Sequence, residues 1–503
     1  MLRVTSESTD GVHISEGFVP MIGTQRYQRA QQPLQLHQNW RVPRISASAP
    51  RLSRVFTTRR PQSMGRNALS WRAFAVIMAI VLCLGWPNEI AAYAVLAHEA
   101  IIDSSWDTNI RSLLLKRFPG ATPEELKEAH GYAYGGAIIQ DLGYYPHGSF
   151  FFSDLTHYVR SGDFVLALLH DSKDLDGYAF ALGALAHYVS DNEGHPIGTN
   201  RAVPLLYPKL KTKFGDSVTY EQDKLAHVKT EFGFDVLEIA HGRYAPDSYH
   251  DFIGFGVSLP LLEQAFQETY GLDLKTVLTD EDKVIGSYRH AVGQLLPKAT
   301  RVAWSLKKGD ILKDQPSMTR KKFLYNLSRA SYQKNWGKNY QQPTRWEGFL
   351  AFLIRILPKI GPLRVLQLKT PTPTAEKLFE ASFNATLDRY RQLLTQVGTG
   401  LPDLPKNNFD TGAIAGPGTY RLNDETHVKL LDTLAKQNFS GASLGLRTEL
   451  LEFYGHPDAP YATKRKPKDW AKVLDELEQL KKSAPPEVPT AGDGPVRPGL
   501  SSE

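Results

Sequence analysis

The sequence predicts an all-α protein. Apolar residues recur at helical spacing in the central part of the chain, as in DGYAFALGALAHYVSD and YEQDKLAHVKTEFGFDVLEIAH, and this period is typical of helices that face a core. Valine-rich alternating runs, which would indicate strands, are scarce. The stretch TPEELKEAHGYAYGGAIIQD opens with a helix-start signal in which Thr122 is the N-cap, Pro123 the first helical residue and Glu125 the third.

Residues 1–63 and 64–92 are predicted to precede the folded protein. The first of these segments is rich in Arg, Gln, Ser and Pro and lacks periodic apolar residues, so we interpret it as a disordered or untranslated leader. From Met64 a short basic segment, an apolar run from Ala73 to Trp86 and a group of small residues form the pattern of a secretory signal peptide. A genuine leader with a signal anchor is the alternative. The sequence therefore predicts an exported protein, either periplasmic or secreted.

The distribution of charge argues against a nucleic-acid partner. The full chain has a formal net charge of +6. Its first 70 residues hold ten arginines, no lysine and three acids, or 10 − 3 = +7, which leaves 6 − 7 = −1 for the remainder. A nearly neutral protein lacks the positive field that attracts nucleic acid. We therefore expect no nucleic-acid partner.

The rest of the chain is divided into a histidine-rich helical domain, 93–283, a second mostly helical region, 284–482, and a disordered tail, 483–503. Ten of the fifteen histidines fall between His98 and His250. Residues of the kind that bind metals are therefore concentrated in the first of these domains.

One stretch of the second region, 344–369, is apolar and carries several basic residues. An apolar helix of this kind is most often part of a core or a lid. Peripheral contact with a membrane surface is the alternative, because basic amphipathic helices lie in the headgroup layer.

The motif HYVSDNEGH places His187, Asp191 and His195 at four-residue steps at the end of a very apolar helix. Residues four apart share one helix face, so His187 and Asp191 point the same way. Burying an unpaired carboxylate costs several kcal/mol, and a bound metal ion removes that cost. A buried His–Asp hydrogen bond with a separate surface histidine is the alternative interpretation.

The surroundings of this motif lead to two structural expectations. Gly183 lies one turn before His187 on the same face, and we expect it to leave open space above the ring. Pro196 follows His195, and a residue before proline avoids helical angles. We therefore expect the helix to fray near Gly194 and His195 to turn in from its exit.

Three further motifs supply residues of the kind that bind metals. YAVLAH contains His98, QDLGYYPHGSFFFSDLTH contains Asp141 and His157, and HVKTE places His227 and Glu231 four residues apart. Singly, each has a plain explanation as a core or surface residue. Together with HYVSDNEGH they are too many for one ion and about right for two or three zinc ions.

A competing pair occurs in LLHDS, where His170 and Asp171 are adjacent, as in the HD-type metallohydrolases, which are also all-helical. That fold needs further His and Asp ligands at its own spacing. The pair would also leave HYVSDNEGH unexplained, so we keep it as an alternative only.

Taken in chain order, the motifs YAVLAH, QDLGYYPHGSFFFSDLTH, HYVSDNEGH and HVKTE resemble those of the zinc-dependent phospholipase C superfamily. The resemblance is strongest to the phospholipase C/D domain shared with glycosylphosphatidylinositol-specific phospholipase D. The resemblance covers roughly residues 93–250. It implies an all-α site with three zinc ions, and the groups that it implies are as follows: His157, His187 and Asp191 for one ion; His195, His227 and Glu231 for a second; and His98, a bridging Asp191 and the free amine and carbonyl of Tyr93 for a third.

The resemblance also implies an activity, hydrolysis of a phosphodiester in a phospholipid, with Asp141 orienting or deprotonating the attacking water. Two alternatives stay open. Single-strand nucleases share the three-zinc array but usually have Asp where Glu231 stands. A non-catalytic exported protein stabilised by zinc is the other, and Asp141 argues against it because a structural site needs no base.

Overall fold

The computed structural model describes residues 95–145, 147–241, 255–290, 371–455 and 467–485, with a few isolated positions between 304 and 369. All of them lie in one unit of the chain, Pro87–Glu503. Helices dominate these residues, and the only β-type pairing among them is an isolated bridge between Asn407 and Ile414. The predicted all-α fold class is confirmed.

The described helices are numbered here in chain order. They are α1 (Val95–Ser105), α2 (Arg111–Arg117), α3 (Pro123–Gly136), α4 (Phe150–Tyr158), α5 (Ser161–Asp171), α6 (Leu175–Gly194), α7 (Asn200–Leu206), α8 (Pro208–Phe214), α9 (Lys224–His241), α10 (Leu259–Tyr270), α11 (Glu281–His290), α12 (Pro373–Val397), α13 (Arg421–Lys436), α14 (Leu444–Gly455) and α15 (Pro467–Lys482). Short π-helical turns occupy Trp106–Ile110 and His195–Thr199, and 3₁₀ turns occupy Ile139–Tyr144 and Leu274–Thr276.

Helix α3 starts where the sequence predicts. The Thr122 side chain accepts a hydrogen bond from the Glu125 amide, and the Glu125 carboxylate accepts one from the Thr122 amide at 2.8 Å. This reciprocal arrangement satisfies two amides that the helix itself leaves without a partner. Pro123 follows as the first helical residue, where its missing amide hydrogen costs nothing.

Helix α6 is the centre of the fold and is buried over nearly its whole length. Its backbone lies directly against that of α3: a Cβ atom on Gly183 would come within 2.1 Å of the Ala133 carbonyl oxygen. The expected open space at Gly183 is therefore wrong, because the neighbouring helix backbone fills it. Close contact between the helices is possible only because the residue lacks a side chain.

The chain does not fray where α6 meets Pro196. His195 keeps helical angles (φ −66°, ψ −57°), and its amide donates to the Asp191 carbonyl. The helical backbone continues through the π turn into α7, and the Asn200 amide donates to the His195 carbonyl. The expected break near Gly194 is wrong: the wider π turn accommodates the proline, which lacks an amide hydrogen and would crowd a regular α turn.

Helices from beyond residue 283 pack onto this centre. In α12, the Tyr390 hydroxyl donates to the Leu182 carbonyl of α6 at 2.9 Å, and Phe379 stacks on Phe234 of α9 with ring centroids 4.7 Å apart. The proposed division at 283 remains a prediction about domain organisation. None of the described helices is both long enough and apolar enough to cross a membrane.

Several sequence-based expectations fall on residues outside the described part of the chain. They concern the leader and signal peptide, Tyr93, residues 344–368 and most of the predicted tail. Lys369, at the end of the apolar stretch, is described, and its ammonium group donates to the Leu206 carbonyl at 2.5 Å.

Replacing Gly183 with alanine should test the contact between α3 and α6. The added methyl group would overlap the Ala133 carbonyl, so we expect the free energy of unfolding to fall by about 1–3 kcal/mol. Gly286 in α11 is the matched control, since a Cβ atom there meets nothing within 4 Å. Gly286→Ala should raise stability by about 0.5–1 kcal/mol. Denaturant unfolding of both variants makes the comparison, and equal effects would contradict the close packing.

Candidate metal centre

All the predicted site residues within the described part of the chain are buried, and they converge from several elements. They are His98 in α1, Asp141 in the 3₁₀ turn, His157 in α4, His187 and Asp191 in α6, His195 in the π turn, and His227 and Glu231 in α9. The motifs are far apart in the sequence, so it is the helix packing that brings their side chains to one place.

Asp191 lies at the centre of this group. Its Oδ2 atom is 3.2 Å from His187 Nε2 and 3.4 Å from His157 Nε2. Its Oδ1 atom is 3.6 Å from His98 Nε2 and 3.9 Å from His195 Nε2. One fully buried carboxylate is therefore surrounded by four imidazole rings from four different elements.

His195 connects this group to a second one. Its Nε2 atom lies 3.2 Å from Glu231 Oε1, and the same oxygen lies 2.8 Å from His227 Nε2. The His195 and His227 rings meet edge to face, with centroids 4.9 Å apart. The groups around Asp191 and around Glu231 thus form one continuous array.

The ring orientation of three histidines is fixed from behind. His157, His187 and His195 each place Nδ1 within hydrogen-bond distance of a backbone carbonyl. The carbonyls and distances are Ser153 (2.7 Å), Ala137 (2.9 Å) and Phe409 (3.1 Å). A nitrogen that faces a carbonyl must carry the hydrogen, so Nε2 turns towards the array. This arrangement is typical of histidines that bind metal ions.

The array is incompletely satisfied by its own atoms. Within the described part of the chain, neither oxygen of Asp191 makes a hydrogen bond of good geometry, and neither does Nε2 of His157 or His187, although all are buried. Leaving buried polar atoms without hydrogen bonds costs about 1–3 kcal/mol for each group. Cations coordinated by these atoms would remove that cost, and imidazole nitrogen with carboxylate oxygen is a ligand set that suits zinc.

The electrostatics of the array also fit a cation. Burial opposes ionisation of Asp191, but His187 and His195 hold the pKa of its carboxyl well below the usual value. Burial likewise opposes protonation of His157, yet Asp141 and Asp191 raise its pKa to about 10. The negative potential that retains a proton on this ring also attracts a divalent ion, since protons and metal ions compete for the same atoms.

His98 differs from His157. Burial, reinforced by the neighbouring His187, lowers the pKa of His98 well below 6.5. A neutral imidazole is the form that coordinates a metal. The His98 and His187 rings are stacked, with centroids 4.6 Å apart. Their Nε2 atoms face different oxygens of Asp191, Oδ1 for His98 and Oδ2 for His187.

Among the residues that the structure describes, three groups of side chains have ligand atoms close enough to share an ion. They are His98, His187 and Asp191; Asp141, His157 and His187; and His195, His227 and Asp410. Asp141 therefore stands at ligand distance from His157, with 3.3 Å between Oδ1 and Nε2. Which residues hold which ion, and whether Asp141 acts as base or ligand, stay predictions.

Asp410 is a member of the array that the sequence motifs do not indicate. Its Oδ1 atom lies 3.4 Å from His195 Nδ1, and the residue is buried. It follows Phe409 in the sequence NNFDTG, which has no histidine nearby. Only the fold, which brings this segment back to α6, reveals its position.

The competing HD pair is not part of the array. The His170 side chain is 69% exposed, and its Nδ1 atom lies 2.9 Å from Oδ1 of the adjacent Asp171. Neither residue joins a group of possible metal ligands among the described residues. The structure therefore offers no support for the HD-type alternative.

Comparison with known proteins agrees with the motifs. Residues 97–279 match the zinc-dependent phospholipase C family. The match confirms the resemblance drawn from the sequence, and it covers part of the chain. It ends well before Phe409 and Asp410. No curated protein and no solved structure matches this chain.

Replacing His187 with alanine should remove zinc and stability together. This side chain belongs to two of the three groups described above, and ions bound there would link the helices that carry the ligands. We expect wild-type protein to carry about two to three zinc ions per chain. The variant should lose at least about one of these ions. The exposed His170→Ala variant is the control and should keep the wild-type content. Elemental analysis with thermal unfolding measures both properties; folded, active wild-type protein without stoichiometric metal would contradict the assignment.

Proposed function

We propose that the protein is an exported phosphodiester hydrolase of the phospholipase C type that binds two or three zinc ions and acts on phospholipid. The observation that carries the proposal is the buried Asp191 carboxylate among four imidazole rings. It lies within a segment that matches the zinc-dependent phospholipase C family. Export rests on the leader pattern of residues 64–92.

Zinc, when bound, supplies Lewis acidity that makes water a stronger acid and neutralises charge on a phosphodiester. The histidines of the array orient their Nε2 atoms towards this site through the carbonyl contacts behind them. Their contribution is to fix the geometry in advance, so that little reorganisation accompanies the reaction.

Asp141 is the proposed base. It is only 2% exposed, and burial raises the pKa of its carboxyl. A carboxylate with a raised pKa accepts a proton more readily from water. Its Oδ1 atom lies 3.3 Å from His157 Nε2. Asp141 is therefore beside the array, where it would accept the proton that the attacking water loses.

A series of ring contacts connects the exposed Phe150 with this array. Phe150 is 45% exposed, and its ring lies 5.8 Å from that of Tyr144, which in turn lies 5.8 Å from the His157 ring. The Lys224 ammonium group lies 5.0 Å from the Tyr220 ring and 5.7 Å from the Phe150 ring. An apolar ring beside a cation suits a molecule with both an acyl part and a phosphate, which supports a phospholipid substrate.

Asp141→Asn should keep zinc and lose most turnover. The amide fills the same space but cannot accept the proton, so we expect kcat to fall by about 100-fold or more. Asp171→Asn, the same substitution outside the array, serves as the control and should behave as wild type. Zinc content and turnover are measured on the same samples. Loss of zinc along with activity in Asp141→Asn would show that Asp141 is principally a ligand.

Chelation should abolish hydrolysis of a choline or ethanolamine phospholipid, and added zinc should restore it. At matched salt, the same preparation should show little activity on single-stranded DNA or RNA, because the chain after its first 70 residues is nearly neutral and lacks the field that draws nucleic acid. Turnover of both substrate classes is compared directly. Faster hydrolysis of single-stranded nucleic acid than of any phospholipid micelle would favour the nuclease alternative instead.

A further inference from the structure

A segment far beyond the family match packs against the candidate metal centre. Residues 404–420, here called the covering segment, run between α12 and α13, whereas the matched range ends at 279. Near its start, the Pro405 carbonyl accepts a hydrogen bond from the Tyr188 hydroxyl of α6 at 2.8 Å. The Asn407 carbonyl accepts one from the Ser161 hydroxyl of α5 at 2.6 Å. The segment is thus attached to the helices that carry and flank the array.

Phe409 places an apolar ring against the histidines. It is fully buried, and its centroid lies 5.1 Å from that of His157 and 6.0 Å from that of His187. Its amide donates to the His157 carbonyl at 3.2 Å. The backbone and side chain of Phe409 therefore both contact elements of the array, and the ring excludes water from one side of it.

The covering segment also supports His195 from behind. The Phe409 carbonyl lies 3.1 Å and Asp410 Oδ1 lies 3.4 Å from His195 Nδ1. The opposite ring nitrogen, Nε2, faces Glu231 at 3.2 Å. A carboxylate behind a histidine that faces a metal site orients the ring and increases the basicity of the ligating nitrogen.

Asp410 itself is held by neighbours on several sides. Its second oxygen accepts a hydrogen bond from the Tyr420 hydroxyl, and its carbonyl accepts one from the Asn200 side chain at 2.6 Å. Its amide donates to the Asn408 side chain at 2.9 Å. A carboxylate fixed in this way loses little conformational freedom when it orients its partner.

The approach of the segment to α6 depends on Gly412. This residue has a φ of +66°, which side chains rarely tolerate, and a Cβ atom there would lie 2.5 Å from the Asn192 carbonyl oxygen. Asn192 directly follows Asp191. The backbone of the covering segment therefore lies against the end of α6 that carries the central carboxylate.

We propose that Asp410 is a positioning residue for the metal centre: through His195 Nδ1 it sets the orientation and basicity of His195, and the covering segment thereby completes the site. The inference rests on the proposed zinc site, since it assigns a role relative to ions held there. Direct coordination by Asp410 is the competing role, because its carboxylate also lies at ligand distance from His195 and His227.

Zinc affinity of the full-length protein, measured by competition with a chromophoric chelator, tests the proposal. Asp410→Asn should weaken zinc binding by about 10-fold or more while keeping the full stoichiometry at saturating zinc. The visible spectrum of the cobalt-loaded protein should also change, because it reports the geometry around the ion. Asp403→Asn is the matched control: it makes the same substitution at an exposed residue just before the covering segment and should alter neither property.

Tyr420→Phe provides a second variant in case Asp410→Asn fails to fold. It keeps the ring and removes the hydroxyl, which donates to Asp410 and accepts from the Glu221 amide, and we expect several-fold weaker zinc binding. Unchanged affinity and cobalt spectrum in the variant that folds would overturn the proposal, and so would loss of a whole zinc equivalent from Asp410→Asn at saturation, which would make Asp410 a ligand. Wild-type protein that binds no zinc would instead overturn the proposed function itself.

Discussion

The structure depends on the burial of one carboxylate, that of Asp191. A carboxylate without solvent contact is tolerated only when positive charge or strong donors surround it. Here four imidazoles from α1, α4, α6 and the π turn surround it, and the raised pKa values of His157 and His195 place positive charge beside it. The positions of these elements relative to α6 are therefore constrained by the need to compensate this one group, and the candidate metal centre and the centre of the fold coincide.

The packing of α3 against α6 also links the core of the fold to the candidate metal centre. The Gly183 backbone touches that of Ala133, and one turn later the His187 ring donates to the Ala137 carbonyl at 2.9 Å. A small residue thus sets the distance between the helices, and that distance places a carbonyl where it can orient a histidine. A change in core packing would move the His187 nitrogen that faces Asp191.

The sequence predicted those parts of the site that depend on local spacing. The steps between His187, Asp191 and His195 and between His227 and Glu231 indicate shared helix faces, and the fold brings those faces together. It did not predict the π turn at Pro196, because the usual rule for residues before proline assumes a regular backbone. It also missed Asp410, whose role depends on a return of the chain about 215 residues after His195, which no local pattern encodes.

His195 shows why the covering segment matters to the whole array. Its Nε2 atom faces both Asp191 and Glu231, and its Nδ1 atom faces Phe409 and Asp410. Anything that rotates this ring alters both halves of the array at once. The segment that contacts the ring lies outside the family-matched range. In the proposed assignment, the matched residues would supply the ligand atoms and the later part of the chain would hold one of them in place. Since metal affinity depends on such orientation, the two parts of the sequence are coupled through a single imidazole.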